Sequence, residues 1–64
     1  MKVKEIKELI ENSPNSNQRI IIEDDWAVYS DSFNYDSNMC DEDTVRYIYI
    51  DSDGSLHIHL AFDV

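Results

Sequence analysis

Residues 44–62, TVRYIYIDSDGSLHIHLAF, constrain the fold more than any other stretch of this chain. Two strand-forming runs, 44–50 and 56–62, flank Asp51-Ser52-Asp53-Gly54-Ser55. Asp suits the first position of a type I turn, and Gly supplies the left-handed residue that closes a three-residue hairpin with a G1 bulge. That turn predicts Ile50 opposite Leu56, Ile48 opposite Ile58 and Arg46 opposite Leu60. Because side chains alternate along a strand, the register also sets the faces. Ile48, Ile50, Leu56, Ile58, Leu60 and Phe62 share one face, while Val45, Tyr47, Tyr49, His57 and His59 share the other. The aliphatic face needs a cover, and the Tyr/His face is expected to be half-exposed.

The amino terminus offers that cover. VKEIKELIE places Val3, Ile6, Leu9 and Ile10 at helical spacing, with charged residues around them. Lys4–Glu8 and Lys7–Glu11 stand at i,i+4, in the weaker orientation for an ion pair. Pro14 and the Asn/Ser cluster around it stop the helix. Two turns of helix do not persist alone in water, so the segment must pack on something.

Between these parts, Arg19-Ile20-Ile21-Ile22 and Trp26-Ala27-Val28-Tyr29 read as two strands of a hairpin turned by Glu23-Asp24-Asp25. Residues 30–43 read as a long polar loop, with a short strand or helical turn around Phe33-Asn34-Tyr35. The predicted architecture is α+β: one 64-residue domain with a short N-terminal helix packed on a small antiparallel sheet of three or four strands.

A domain of this size buries only about 60% of the surface its unfolded chain exposes, so its stability margin is small. The lone Cys40 cannot form an internal disulfide. MKVKEIKELIE lacks the hydrophobic region of a signal peptide, and no run approaches the roughly 18 apolar residues of a membrane span. A cytoplasmic protein is expected.

Charge is the second constraint. The formal net charge is −9, and it is unevenly placed. Residues 1–19 carry +1, whereas residues 20–64 hold eleven acids against the single base Arg46. From Ile20 to Val45, 26 successive residues include eight carboxylates and no Lys or Arg. Such a surface repels nucleic acid and anionic membranes and attracts basic protein surfaces. Solubility alone does not ask for this pattern, since mixed signs solubilise with less self-repulsion. Trp26, Tyr29, Phe33, Tyr35 and Met39 lie among the acids, and aromatics with Met are enriched in interface cores. Carboxylates at i,i+2 on a strand recur about every 6.7 Å and can imitate backbone phosphates toward a basic groove.

Other chemistry is poorly supplied. DSDGS resembles part of a calcium loop, but an EF-hand alignment puts Tyr49 first and Leu60 twelfth, where oxygen ligands are required. His57 and His59, at i,i+2 on one strand, form a zinc site only if Cys40 or an Asp completes it. Without that third ligand they are residues of a half-exposed face, and no metal or cofactor is expected. Cys40 precedes three acids, which raise a thiol's pKa and suppress the thiolate a nucleophile needs. No acid/base pair is singled out among the carboxylates. A non-enzymatic protein is expected.

Small size, strong acidity, an N-terminal amphipathic helix, a small sheet and acid-rich loops together resemble phage-encoded DNA-mimic inhibitors, the small acidic anti-CRISPR proteins above all. The resemblance lies in architecture and charge, and no residue is carried over from it. It implies a protein that blocks the nucleic-acid site of a CRISPR effector or another nucleic-acid enzyme, without binding nucleic acid itself. On the residues' own chemistry, Asp24, Asp25, Asp31, Asp36, Asp41, Glu42 and Asp43 would imitate phosphates, with Trp26, Phe33 and Tyr35 as apolar anchors. The competing expectation is an acidic immunity or antitoxin-type protein that covers a toxin's active site. A metal-dependent module is the third.

Overall fold

The structure is a computed structural model that describes residues 1–12, 17–33, 38 and 40–61. One helix, α1 (Val3–Glu11), precedes four strands: β1 (Arg19–Glu23), β2 (Val28–Phe33), β3 (Val45–Ile50) and β4 (Leu56–Leu60). The strand order is β2-β1-β4-β3. Each hairpin is antiparallel within itself, and the two join through the parallel pair β1–β4. The expected α+β architecture is present, with a mixed sheet. Its two central strands, β1 and β4, are the most buried ones, since each has a strand on both sides and the helix over one face.

α1 packs on one face. Val3 and Ile6 from the helix, Ile20 and Ile22 from β1, and Ile58 and Leu60 from β4 form the buried core. Ile10 is partly buried against it. Leu9 is 62% exposed instead of joining the stripe. At about 100° per residue it lies roughly 90° from the mean direction of Val3, Ile6 and Ile10, beyond the sheet's reach. The cover is also narrower than the aliphatic face: Ile48 and Ile50 remain 40% and 63% exposed, because β3 is an edge strand that α1 does not overlie.

The C-terminal hairpin keeps its predicted register at Ile50–Leu56 and Ile48–Ile58, then shifts. A bulge between Val45 and Tyr47 sets Val45, not Arg46, opposite Leu60. Val45 therefore packs on the core, while Arg46 is the extra residue. The bulge keeps the only base of this half out of the apolar face. Phe62 lies outside the described residues. In the turn, the Asp51 carboxylate Oδ1 accepts from the Asp53 and Ser55 backbone N–H groups at 2.8 and 3.1 Å. Gly54 has φ +84°. No atom lies within 4 Å of the position a Cβ would take there, so replacing it strains the backbone alone. Gly54→Val should cost about 1–2 kcal/mol, the left-handed penalty for a residue with a Cβ. An unchanged urea midpoint would contradict the assigned turn.

The first hairpin turns as expected at the acidic segment, but Trp26 and Ala27 belong to the turn, and β2 runs unbroken from Val28 to Phe33, so residues 30–32 are strand where loop was expected. Pairing explains the difference, since the exposed, polar β2 gains its order from the β1 ladder, through partners such as Ile22–Ser30 and Ile20–Ser32.

Candidate functional site: an acidic end and a histidine-carboxylate face

Two places concentrate polar chemistry. The first is an open cavity of about 370 Å³, lined by Asp24, Trp26, Tyr29, Cys40, Asp43, Thr44, Leu60 and Ala61. Asp24 organises its rim. Its backbone N–H donates to the Ala27 carbonyl at 2.9 Å. Its carboxylate accepts from the Trp26 and Ala27 N–H groups at 2.7 and 2.9 Å, and from the Tyr29 hydroxyl. The Tyr29 hydrogen bond, followed by the Trp26 N–H, holds the Asp24 carboxyl below its ordinary value and makes it a fixed anion. Trp26 is 77% exposed beside it. Across the cavity, burial and then the Asp43 hydrogen bond push the Cys40 thiol up to about 11. The thiol is held protonated at neutral pH, which fits the expectation that Cys40 is no nucleophile. Among the described residues, no basic one lines the cavity.

The second place is the sheet face opposite α1, where His57 stands between two acids. Its Nδ1 meets Glu23 Oε1, and its Nε2 meets Asp51 Oδ2 at 2.6 Å. Ionised carboxylates only accept, so two hydrogen bonds to them require hydrogen on both ring nitrogens, and the pair of acids favours the imidazolium form of His57. The Glu23 hydrogen bond, the largest cause, and the Asp51 bond raise its pKa against the opposing effect of burial. In this form His57 has no lone pair to offer a metal. His59 Nε2 lies 2.9 Å from Asp25 Oδ1, and its Nδ1 lies 3.4 Å from Glu23 Oε2. Tyr47 stacks on His59 and Tyr49 on His57, with centroids 4.5 and 4.4 Å apart. These stacks bury His59 to 5% exposure, although both histidines were expected on a half-exposed face. Glu23 bonds to His57 and lies near His59, whose buried Nδ1 has no hydrogen-bond partner among the described residues, a place between the two imidazoles that no local motif assigns to it. Its one legible signal is register, because Glu23 pairs with His59 across β1–β4.

The residues expected at the interface separate into groups. Asp24, Asp25 and Trp26 sit together at the β1–β2 turn, with Asp43 across the cavity. Asp25 is shared with His59 and, at 3.8 Å, with Arg46. Phe33 pairs with Arg19 at the opposite end of β1, about 13 Å from Glu23 by strand rise, and Asp31 pairs with Ile21 at the middle of the strand. The Arg19 guanidinium there donates to Asp31, at 2.6 Å from Nε. Asp41 and Glu42 face the helix. Lys2 and Lys4 Nζ reach Glu42 at 2.8 and 2.9 Å, and Lys7 reaches Asp41 at 3.8 Å. These lysine contacts hold the Glu42 carboxyl down at about 2. Lys4 thus turns to the loop instead of to its expected helical neighbour Glu8.

The backbone follows the same path. The Val3 and Lys4 N–H groups, unpaired within any helix start, donate to the Asp43 and Asp41 carbonyls at 3.0 and 3.1 Å. The loop's acids also sit at the positive end of the helix dipole. Part of the acidic loop is therefore a structural clamp. Tyr35 and Asp36 lie outside the described residues. Among the described residues no helix is long and apolar enough to cross a membrane. No protein-family model, curated protein or solved structure matches this chain.

Proposed function

We propose that this chain is a non-enzymatic inhibitor that binds a basic nucleic-acid-binding protein, such as a CRISPR effector, and occupies its nucleic-acid site by acidic mimicry. The protein itself binds no nucleic acid and acts in the cytoplasm. The observation that carries this reading is the base-free cavity, where the fixed Asp24 carboxylate and Asp43 stand beside the exposed Trp26 and Tyr29. Carboxylates supply what a phosphate-binding groove selects, and an exposed indole supplies the apolar anchor that interface energetics favour. Asp31, Asp41 and Glu42 contribute less to this reading than the sequence suggested, because Arg19 and the helix lysines already neutralise them.

The test is competition between this protein and nucleic acid for the target's site, across a salt series. Inhibition should weaken steeply as salt rises, since charge complementarity is screened. Trp26→Ala should weaken it about 30-fold, the scale of a 2 kcal/mol hot spot. Asp43→Lys should act mainly by slowing association. Both positions are exposed, so the backbone fold, read by far-UV circular dichroism, should be retained. Salt-insensitive inhibition with Trp26→Ala equal to wild type would reject the mimicry.

A further inference from the structure

We infer that two copies of this chain associate through the outer edge of β3, forming one continuous eight-stranded sheet about a two-fold axis at Tyr49. β3 is one of the two sheet edges, so among the described residues one side of its backbone has no strand beside it. Which groups point outward follows from the hairpin. The Asp51 N–H donates inward to the Ser55 carbonyl at 3.0 Å. Ladder bonds alternate along an antiparallel strand, so Tyr49 also turns its backbone toward β4 and Ile48 and Ile50 turn theirs outward.

An axis at Tyr49 uses these groups twice. It sets Ile48 against Ile50 of the second copy, and Ile50 against its Ile48, giving four backbone hydrogen bonds. Tyr49 stands opposite its own counterpart on the other face, at the closer non-hydrogen-bonded spacing, with each ring kept on its own His57. The pairing stops short of the bulge at Arg46, where the edge is irregular.

Side chains support the same occupant. Ile48 and Ile50 are exposed on the helix side of the sheet, where α1 does not cover them. Pairing lays them against their copies in one apolar strip between the two helices. Charge selects this edge over the other one. β3 contains no carboxylate in a chain of net charge −9, whereas β2 contains Asp31 and follows Asp24 and Asp25. Edges that avoid pairing are guarded by inward-facing charges, Pro or Lys, and residues 47–50 have none of these. Self-pairing also satisfies the isologous rule, because one surface serves both copies. An edge contact this short buries less than the roughly 1,200 Å² of a standard interface. Association is therefore expected to be weak and concentration-dependent.

Sedimentation analysis from about 5 μM to about 1 mM protein tests this, in salt of about 0.01 M and about 1 M, where the screening length falls from about 30 to 3 Å. A dimer should appear with concentration and grow with salt, since screening relieves repulsion between two acidic chains. Binding of a basic target moves with salt in the opposite sense, so the two readings fail independently. Ile48→Lys with Ile50→Lys should abolish the dimer. Amide hydrogen exchange on the unmodified chain gives a second readout that needs no variant. The Ile48 and Ile50 N–H groups should gain protection as the dimer forms. Monomer mass throughout would overturn the inference and leave the edge to a different protein's strand. A dimer without protection at Ile48 and Ile50 would equally overturn it.

Discussion

Ile22→Ala is expected to destabilise the fold by about 2–5 kcal/mol, the range for truncating a buried aliphatic residue. At roughly 0.05–0.15 kcal/mol per residue, a domain of this length holds only about 3–10 kcal/mol in all. Ile22 is fully buried on β1, with Ile58 its direct neighbour across the parallel pair. Among the described residues the buried apolar core is six side chains, two from the helix and four from the sheet, so few neighbours can close the cavity that the substitution opens. The relaxation that softens such losses in larger proteins is therefore limited here. Ile50→Ala, on the uncovered part of the same face, is the control and should stay within about 0.5 kcal/mol. Urea midpoints measured for both, in dilute protein, decide the matter. Equal midpoints would mean that the aliphatic face is buried differently from this description.

The contrast between Ile22 and Ile50 also marks what the sequence could disclose. Both were readable as strand residues, Ile50 on an aliphatic face set by the Asp-Gly turn and Ile22 in a β-branched run, because these are local properties. Which strand becomes central is not local. It depends on the two hairpins meeting through β1 and β4, a long-range choice that leaves β3 at an edge and Ile50 bare. Leu9 fails for a related reason: its helical spacing was suitable, but the sheet beneath α1 is too narrow to reach it. The bulge at Arg46 shifted the far end of a register that the turn alone had predicted.

The candidate site was partly legible in the same sense. Asp24, Asp25 and Trp26 are adjacent in sequence and stay together, so a chain-local reading found them. Asp31, Asp41 and Glu42 belonged to a base-free window only in one dimension. Folding returns Arg19 and the helix lysines to them from outside that window. Reversing Asp41 and Glu42 to Lys would therefore test how the loop holds the helix start. For that reason Trp26 and Asp43 are the better probes of binding.

Stability should pass through a maximum between about pH 4.5 and 6.5, bounded by the ordinary values of Glu42 and His57. On the acid side, Glu42, Asp24 and Asp51 have carboxyl pKa values below their ordinary ones. Their contribution is complete above those ordinary values and is lost as pH falls through the depressed ones. On the alkaline side, His57 has a raised pKa, so the folded chain holds its proton more tightly than the unfolded chain does. That contribution is complete below 6.5 and is lost as pH rises through the raised value. The groups around the ring set this direction: Glu23 from β1 and Asp51 from the turn attract the proton, Tyr49 from β3 stacks on the ring, and His59 shares Glu23. Self-repulsion of an acidic chain also grows with pH, so the thermal scans need high salt to suppress that surface contribution. What slope then remains between pH 6 and 8 belongs largely to the shielded His57 pairs, whose ring is 14% exposed. His57→Gln keeps a polar side chain there but cannot titrate. It should lower the midpoint at pH 6 and flatten the alkaline limb, so that the variant and wild-type curves converge toward pH 8. Parallel curves across that interval would show that the imidazolium is not what Glu23 and Asp51 hold together.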